Sequence, residues 1–445
     1  MKMKRYDSEK GQALILLVLA FTVLLGFTAL AIDGGMVYAN RRHAQNAADA
    51  ASLAGAGAAA LILENNYVNY DDWSCSDPRV ISAQQDATSG ARVVAINSAA
   101  SNDYTIDTNV SDKNGVQTTC GVTNNGTFVD KYIDVRVIIT TDTKTAFAQF
   151  VYKGPLRNTV EAVTRIRPQA PLAFGNAIVA LSDICQGGTG GVNFVGTSGS
   201  NVTGGGIFSN ACVTANGDAS ISVDPGDTVT CVGAGCATKW SPASGPTPQV
   251  GPGTLPDEYT DFLPPDCSSL SNKGSHNGGG TIDPGKYSQI RVNSNGDHLV
   301  LNPGLYCISN GLVMNGGSII GNDVTFYVTG GDFNVSGSNF VNLSAPSTDD
   351  CTTPVCPPAV GGLLLYMAEG NNGVISLLGS AQNGYLGLVY APDGTINLAG
   401  TADEVSEVSA QLVAKTINIQ GTAELIIRFD NETVYQLPAM VELSR

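Results

Sequence analysis

A recurrence of about 21 residues constrains this 445-residue chain more than any other feature. A glycine preceded three residues earlier by Asn or Ser returns at Asn293…Gly296, Asn334…Gly337, Ser376…Gly379, Asn397…Gly400 and Asn418…Gly421, at steps of 41, 42, 21 and 21 residues. Asn315, Gly316 and Gly317 fall inside the first long step, where a shifted copy belongs. Apolar residues alternate around the motif as Phe333/Val335, Ile375/Leu377, Ile396/Leu398 and Ile417/Ile419. Period two marks a strand with one buried face, which sends Asn334, Ser376, Asn397 and Asn418 to the opposite face as an outer ladder. A second apolar run lies between motifs: VTFYV (324–328), LLLYM (363–367) and LGLVY (386–390). A unit this short cannot bury its own apolar face, but units stacked in register close a continuous interior. The expected fold class is therefore mainly β, with a parallel, single-stranded, right-handed β-helix of about 21-residue coils over 172–445. Residues 194–223 read as earlier, less regular coils, and the Pro-rich stretch 239–267 as an extended excursion along the surface.

The other end of the chain is unlike this. Ala13 to Ile32 is an uncharged apolar run of twenty residues, roughly 30 Å as a helix, or one bilayer core. Lys2, Lys4, Arg5 and Lys10 precede it, so residues 1–12 read as a cytoplasmic tip and 13–32 as a single transmembrane helix with its N-terminus inside. The run exceeds a secretory h-region and no A-x-A site follows promptly, which favours a retained anchor over a cleaved signal. Helical periodicity continues past the run. Ala44, Ala47, Ala51, Ala54 and Ala58 form a small-residue stripe that suits either packing within the domain or a partner helix.

Residues 33–168 read as a small α+β domain of pilin-like outline. Asp77-Pro78 starts a helix running to about Ala100, 101–126 is a loop holding one strand, and 132–141 and 158–168 alternate as strands around a short amphipathic helix at 144–152. The domain boundary falls at Arg165–Pro171, where periodicity stops between two prolines.

The run Glu9-Lys10-Gly11-Gln12, the apolar helix, and then AIDGGMVYANRRHAQNAADAASLAGA resemble the N-terminal domain of TadG-like proteins of the tight-adherence (Tad/Flp) pilus-assembly family. Gly11, Asp33, Gly35, Gln45 and Asp49 stand on that family's motif positions. Leu16 stands where a prepilin cut at Lys10–Gly11 would carry glutamate, which argues against pilin-type processing. Gly- and Ser-patterned β-coils after such an N-terminus also occur in some TadG-related proteins. The resemblance implies a bacterial cytoplasmic-membrane protein with its bulk outside the cytoplasm. Its expected partners are the inner membrane, other Tad-type envelope or pilus proteins, and surface glycans.

Residues 1–42 carry six basic and three acidic side chains, leaving 17 Lys and Arg against 36 Asp and Glu in the remainder. An acidic body repels phosphate backbones, so no nucleic-acid partner is expected. Ten cysteines, all beyond residue 70, form an even set without zinc spacing, which favours disulfides after export. Cys351–Cys356 and Cys231–Cys236 close short loops, and Cys75–Cys120 is a pair within the proximal domain.

DASIS (218–222) spells the D-x-S-x-S metal motif of von Willebrand A domains, which some TadG-like proteins carry, but no apolar strand delivers its Asp. Parallel β-helices also house polysaccharide lyases and hydrolases. Here Ala381, Ala402 and Ala423 occupy the sites two residues after the motif glycine, and Asp403, Glu404 and Glu407 read as an acidic loop. No enzyme, cofactor or metal is expected. The sequence reads as a membrane-anchored structural, assembly or adhesive component of a Tad-type envelope system. The alternative is an anchored carbohydrate-binding or polysaccharide-cleaving β-helix.

Overall fold

The computed structural model describes residues 12–107, 114–124, 126–148, 152–185, 190–196, 199–336, 339–347, 358–379, 384–400, 406–421 and 424–444. The chain divides into two compact units: 1–123 with 130–169 and 439–445, and 124–129 with 170–438.

In the first unit, α1 (Gln12–Asn65) is one unbroken helix of 54 residues. Its N-terminal part, Leu14 to Leu30, leaves its large apolar side chains 56–70% exposed. By length and composition it is a candidate membrane span. Its C-terminal part is built for contact: Ala44, Ala47, Ala48, Ala51, Ala56, Ala59 and Leu63 are buried. They pack against α3 (Ala91–Ser101) and the strand β3 (Leu156–Arg167). A Cβ on Gly55 would sit 2.6 Å from the Ala91 carbonyl oxygen, so the helices approach too closely for any side chain there. The expected stripe therefore drifts. Ala54 and Ala58 are only half-buried, because a straight helix of 3.6 residues per turn rotates its contact line.

The single helix expected over 77–100 is two, α2 (Pro78–Gln85) and α3. Asp77 caps α2 by accepting from Arg79 N–H at 2.8 Å, as the Asp-Pro signal implied. The break comes from Asp86, whose carboxylate accepts from the backbone and hydroxyl groups of Thr88 and Ser89. That capping turn competes successfully with helix continuation. Of the helix expected at 144–152, the described residues form a turn, with Tyr152 N–H donating to Ala148 at 2.7 Å.

The first unit's sheet has the order β1 (Gly115–Asn124), β2 (Val129–Thr143), β3 and the C-terminal strand Met440–Ser444. β2 and β3 pair antiparallel over eleven positions, from Ile133↔Ile166 to Thr143↔Leu156. The C-terminal strand pairs antiparallel with β3, Val441 opposite Ile166. This corrects the expected boundary of 172–445. The last residues join the first unit, and the main part of the second, 170–438, is an insertion between two neighbouring strands of one sheet.

Among the described residues, the second unit holds a 23-stranded sheet of parallel pairings, beside the short antiparallel pair Ala170–Pro171 and Gln436–Leu437. Its strands fall into three columns. One runs 304–308, 324–328, 363–367, 388–391, 412–414, 178–180, 207–209, 229–231. A second runs 290–292, 312–314, 333–335, 374–379, 395–400, 416–421, 191–196, 213–216. The third includes 298–301, 317–321 and 339–344, and ends 406–408, 425–428, 199–203, 220–223. Leu312, Phe333, Ile375, Ile396, Ile417, Val192 and Val213 line the interior of the second column at 0–1% exposure.

The stacking order departs from chain order. The N-terminal strands do not precede the later ones; they stack on the last of them, 412–414 against 178–180 and 425–428 against 200–203. One level is thus built from two segments more than 200 residues apart. The Pro-rich excursion is the return path. Leu255 N–H donates to Asn210 Oδ1, the Tyr390 hydroxyl to the Thr260 carbonyl and the Tyr366 hydroxyl to the Phe262 carbonyl, and Cys267 is bonded to Cys307. Each contact lies further back along the first column, until 272–277 pairs with 286–291.

Candidate functional site

Three places concentrate polar chemistry. At the end of the apolar run, Asp33 is only 4% exposed. Its carboxylate accepts from Ala146 N–H at 2.7 Å, Phe147 N–H at 3.0 Å, and Ala148 N–H. Burial works against its charge, but the three backbone donors outweigh it and hold the carboxyl below its ordinary value. Asp33 is thereby a fixed tether between α1 and the turn after β2. Further along α1, Gln45 Nε2 donates to Asp49 Oδ1 at 2.8 Å and to the Glu161 carbonyl at 3.1 Å, tying α1 to β3. Gly35 has open space around it, with nothing within 4 Å of a Cβ. Gly11 lies outside the described residues.

The second place is the ladder. Asn334 pairs Ser376, Ser376 pairs Asn397 and Asn397 pairs Asn418, all in one column. Asn418 Nδ2 donates to Asn397 Oδ1 at 2.9 Å. The row continues into residues that sequence reading missed: Asn193 Nδ2 donates to Asn418 Oδ1 at 2.9 Å, and Thr214 Oγ1 to Asn193 Oδ1 at 2.7 Å. Asn193 carries the same local signal, three residues before Gly196 and between Val192 and Phe194, but only the stacking order brings it beside Asn418. Asn293 belongs elsewhere. Arg291, not Asn293, aligns through Val313 with Asn334, and Asn293 instead accepts from Asn315 Nδ2 at 3.0 Å in a separate row that includes Ser336. The glycine-centred turn at Asn293 therefore stands two residues out of step with the motif at Asn334. Gly337 lies outside the described residues.

The third place is a polar cavity of about 290 Å³ in the second unit, lined by Asp257, Asp261, Glu369, Asp393, Tyr390, Asn210 and their neighbours. Asp393 accepts from Gly370 N–H at 2.7 Å and lies 3.7 Å from Lys415 Nζ. Burial, then the nearby Asp261, push the Tyr390 hydroxyl well above its ordinary value, so it stays a neutral donor. Sequence reading missed this cluster because the excursion supplies two of its carboxylates.

Four disulfides join Cys75–Cys120, Cys185–Cys212, Cys231–Cys236 and Cys267–Cys307, while Cys351 and Cys356 lie outside the described residues. Asp403 and Glu404 also lie outside them, and Glu407 pairs with Arg428. In the DASIS segment, Ser222 Oγ donates to Asn201 Oδ1 and Ser220 pairs with Ser244, so both hydroxyls serve cross-strand contacts. Among the described residues no group of three or more His, Cys, Asp or Glu is placed to hold a metal.

A membrane-length apolar helix that runs unbroken into the packing face of an α+β unit, with a large parallel-strand insertion, defines a mainly β protein with a candidate membrane span near its N-terminus. Residues 11–59 match the family model described as putative Flp pilus-assembly TadE/G-like, so the N-terminal segment is a domain of that type. The match covers the span, Asp33 and the Gln45–Asp49 pair. No curated protein and no solved structure matches the chain.

Proposed function

We propose that this chain is a non-catalytic, membrane-anchored structural or adhesive component of a bacterial Tad-type, Flp pilus-related envelope system. Residues 1–12 face the cytoplasm, 13–32 cross the inner membrane, the first unit is a pilin-like stalk, and the second is a right-handed β-helical head. The head acts by contact with other Tad-type proteins or with surface glycans. The TadE/G-like match over 11–59 carries this reading. The β-helical reading is supported by successive in-register levels, such as Ile375, Ile396 and Ile417, at an offset of 21 residues.

Two experiments test it. Protease added to intact spheroplasts should digest residues beyond 60; their protection would overturn the orientation. Affinity capture from bacterial membranes should recover Tad-type proteins with the full chain. Replacing 172–435 by a short turn, which the neighbouring strands β3 and Met440–Ser444 permit, should separate partners of the stalk from those of the head. Recovery of no envelope protein by either form would overturn the assembly role.

A second reading is favoured by the cavity around Asp257, Asp261, Glu369 and Asp393. Convergent carboxylates are the equipment of polysaccharide cleavage. Release of new reducing ends from acidic or neutral polysaccharides, lost in a Glu369→Gln, Asp261→Asn variant, would replace the non-catalytic reading with this one.

A further inference from the structure

A groove of about 580 Å³ lies within the first unit at the end of the apolar run, and its size falls in the range of ligand pockets. One wall is a single face of α1: Gly26, Leu30, Asp33, Val37 and Arg41, at steps of three and four residues. The opposite wall is the tethered turn, with Phe147, and β3, with Asn158. We propose that this groove holds one phospholipid of the surrounding leaflet, its acyl chain against Gly26 to Leu30 and its phosphate on Arg41. The inference rests on the membrane span proposed above.

Three observations select a lipid. The lower half of the groove belongs to the segment whose large apolar side chains are 56–70% exposed, so it is continuous with the surface that acyl chains cover. Arg41, exposed at the upper rim, has no ion-pair or hydrogen-bond partner among the described residues. Its Cα lies about 13 Å beyond Ile32 along the axis, and helical side chains lean toward the N-terminus, which carries the guanidinium back to headgroup level. Finally, Asn158 lines the groove and its amide Nδ2, sealed from water, has no hydrogen-bond partner, so a shift of the side chain toward the groove would give an ester or phosphate oxygen its donor. An apolar helix in the groove would leave both the cation and this amide unpaired. Asp33 sets the site: its three backbone bonds hold the turn against α1 and turn its carboxylate onto N–H donors rather than toward the phosphate at Arg41.

The test uses the full-length protein in vesicles of phosphatidylethanolamine and phosphatidylglycerol. A benzophenone side chain in place of Ala29 should crosslink to phospholipid on illumination. Crosslinking to a second copy or to another protein would overturn the proposal. After gentle detergent extraction, native mass spectrometry should find one retained phosphatidylglycerol on the unaltered chain. Retention should fall about tenfold in Arg41→Glu and stay unchanged in Arg42→Glu, whose side chain does not line the groove. Equal retention by the two variants would overturn the phosphate contact, whatever the crosslink shows. Flotation of the unaltered chain with the vesicles separates the two readings. A chain that fails to float removes the span and the groove together, and one that floats but crosslinks only to protein removes the groove alone.

Discussion

The two units solve the problem of polar groups on a sheet in opposite ways. In the first unit, antiparallel neighbours differ in identity, so opposite charges stand side by side. Arg165 forks onto Asp134 at 2.8 and 2.9 Å and reaches Asp130 at 3.1 Å, while Arg167 joins Asp130 to Glu442 of the C-terminal strand. Arg136–Glu161 and Arg157–Asp142 repeat the arrangement across β2 and β3. In the second unit, parallel levels place equivalent residues on top of each other at about 4.8 Å. A charge repeated there would repel its copies, whereas an amide both donates and accepts and so bonds to its own kind. Asn397, Asn418 and Asn193 do this in the ladder. Stacking like on like favours neutral self-complementary groups in the ladder, and antiparallel pairing of unlike segments favours ion pairs; in the second unit Glu407–Arg428 forms only where adjacent levels differ in sequence.

Substitutions that act on one unit and spare the other test this contrast. The largest effect is expected from Ile396→Asp, at 0% exposure between Ile375 and Ile417. An unpaired buried carboxylate should destabilise the second unit by roughly 4 kcal/mol. Denaturant unfolding should show a shifted head transition with the first unit's transition unmoved; a shift of both would mean that the units unfold together. Replacing Cys75 and Cys120 by Ser opens a bridge of sequence separation 45 and should cost the first unit about 3 kcal/mol. Differential scanning calorimetry should register that loss in one transition only.

Ending the chain after Pro438 removes the edge strand of the first sheet and the Arg167–Glu442 pair. A loss of about 2 kcal/mol is expected in the first unit. Limited proteolysis should then cut within β3 before it cuts the head; the reverse order would contradict the insertion topology. Asn418→Asp keeps the acceptor for Asn193 but loses the donor to Asn397, and should cost about 1 kcal/mol in the head. Adding Asn397→Asp should cost more than the sum of the two single changes, because it stacks like charges; a strictly additive double mutant would refute the argument from stacking.

The smallest effect is local and pH-dependent. The Asp33 carboxyl lies below its ordinary 3.8 in the folded state. Its contribution is therefore complete above that ordinary value and lost as the pH falls through the lower folded value. Amide exchange at 146–148 should accelerate over that acid window after correction for intrinsic rates. Asp33→Asn should show the faster exchange already at neutral pH, and unchanged protection in that variant would remove the tether.

The sequence by itself determined those features that depend on near neighbours. Twenty uncharged apolar residues dictate a helix of bilayer length, the Asp77-Pro78 pair dictates a helix start, and period-two alternation around Asn397 and Asn418 dictates strands with the isoleucines inward. Sequence also showed the Tad-type pattern through Asp33, Gln45 and Asp49, although not what each touches. Tertiary structure alone decided the rest. Residues 178–203 stack on 412–428, because an apolar end level gains the same buried contacts from any segment that offers the matching alternation, whatever its place in the chain. That choice brought Asn193 and Thr214 into the ladder, turned the Pro-rich excursion into a return path, and gathered carboxylates around Tyr390. It also returned Met440–Ser444 to pair with β3, since the insertion enters and leaves through the adjacent strands Ala170–Pro171 and Gln436–Leu437. Local periodicity records which face of a strand is buried; it carries no record of which distant segment buries it.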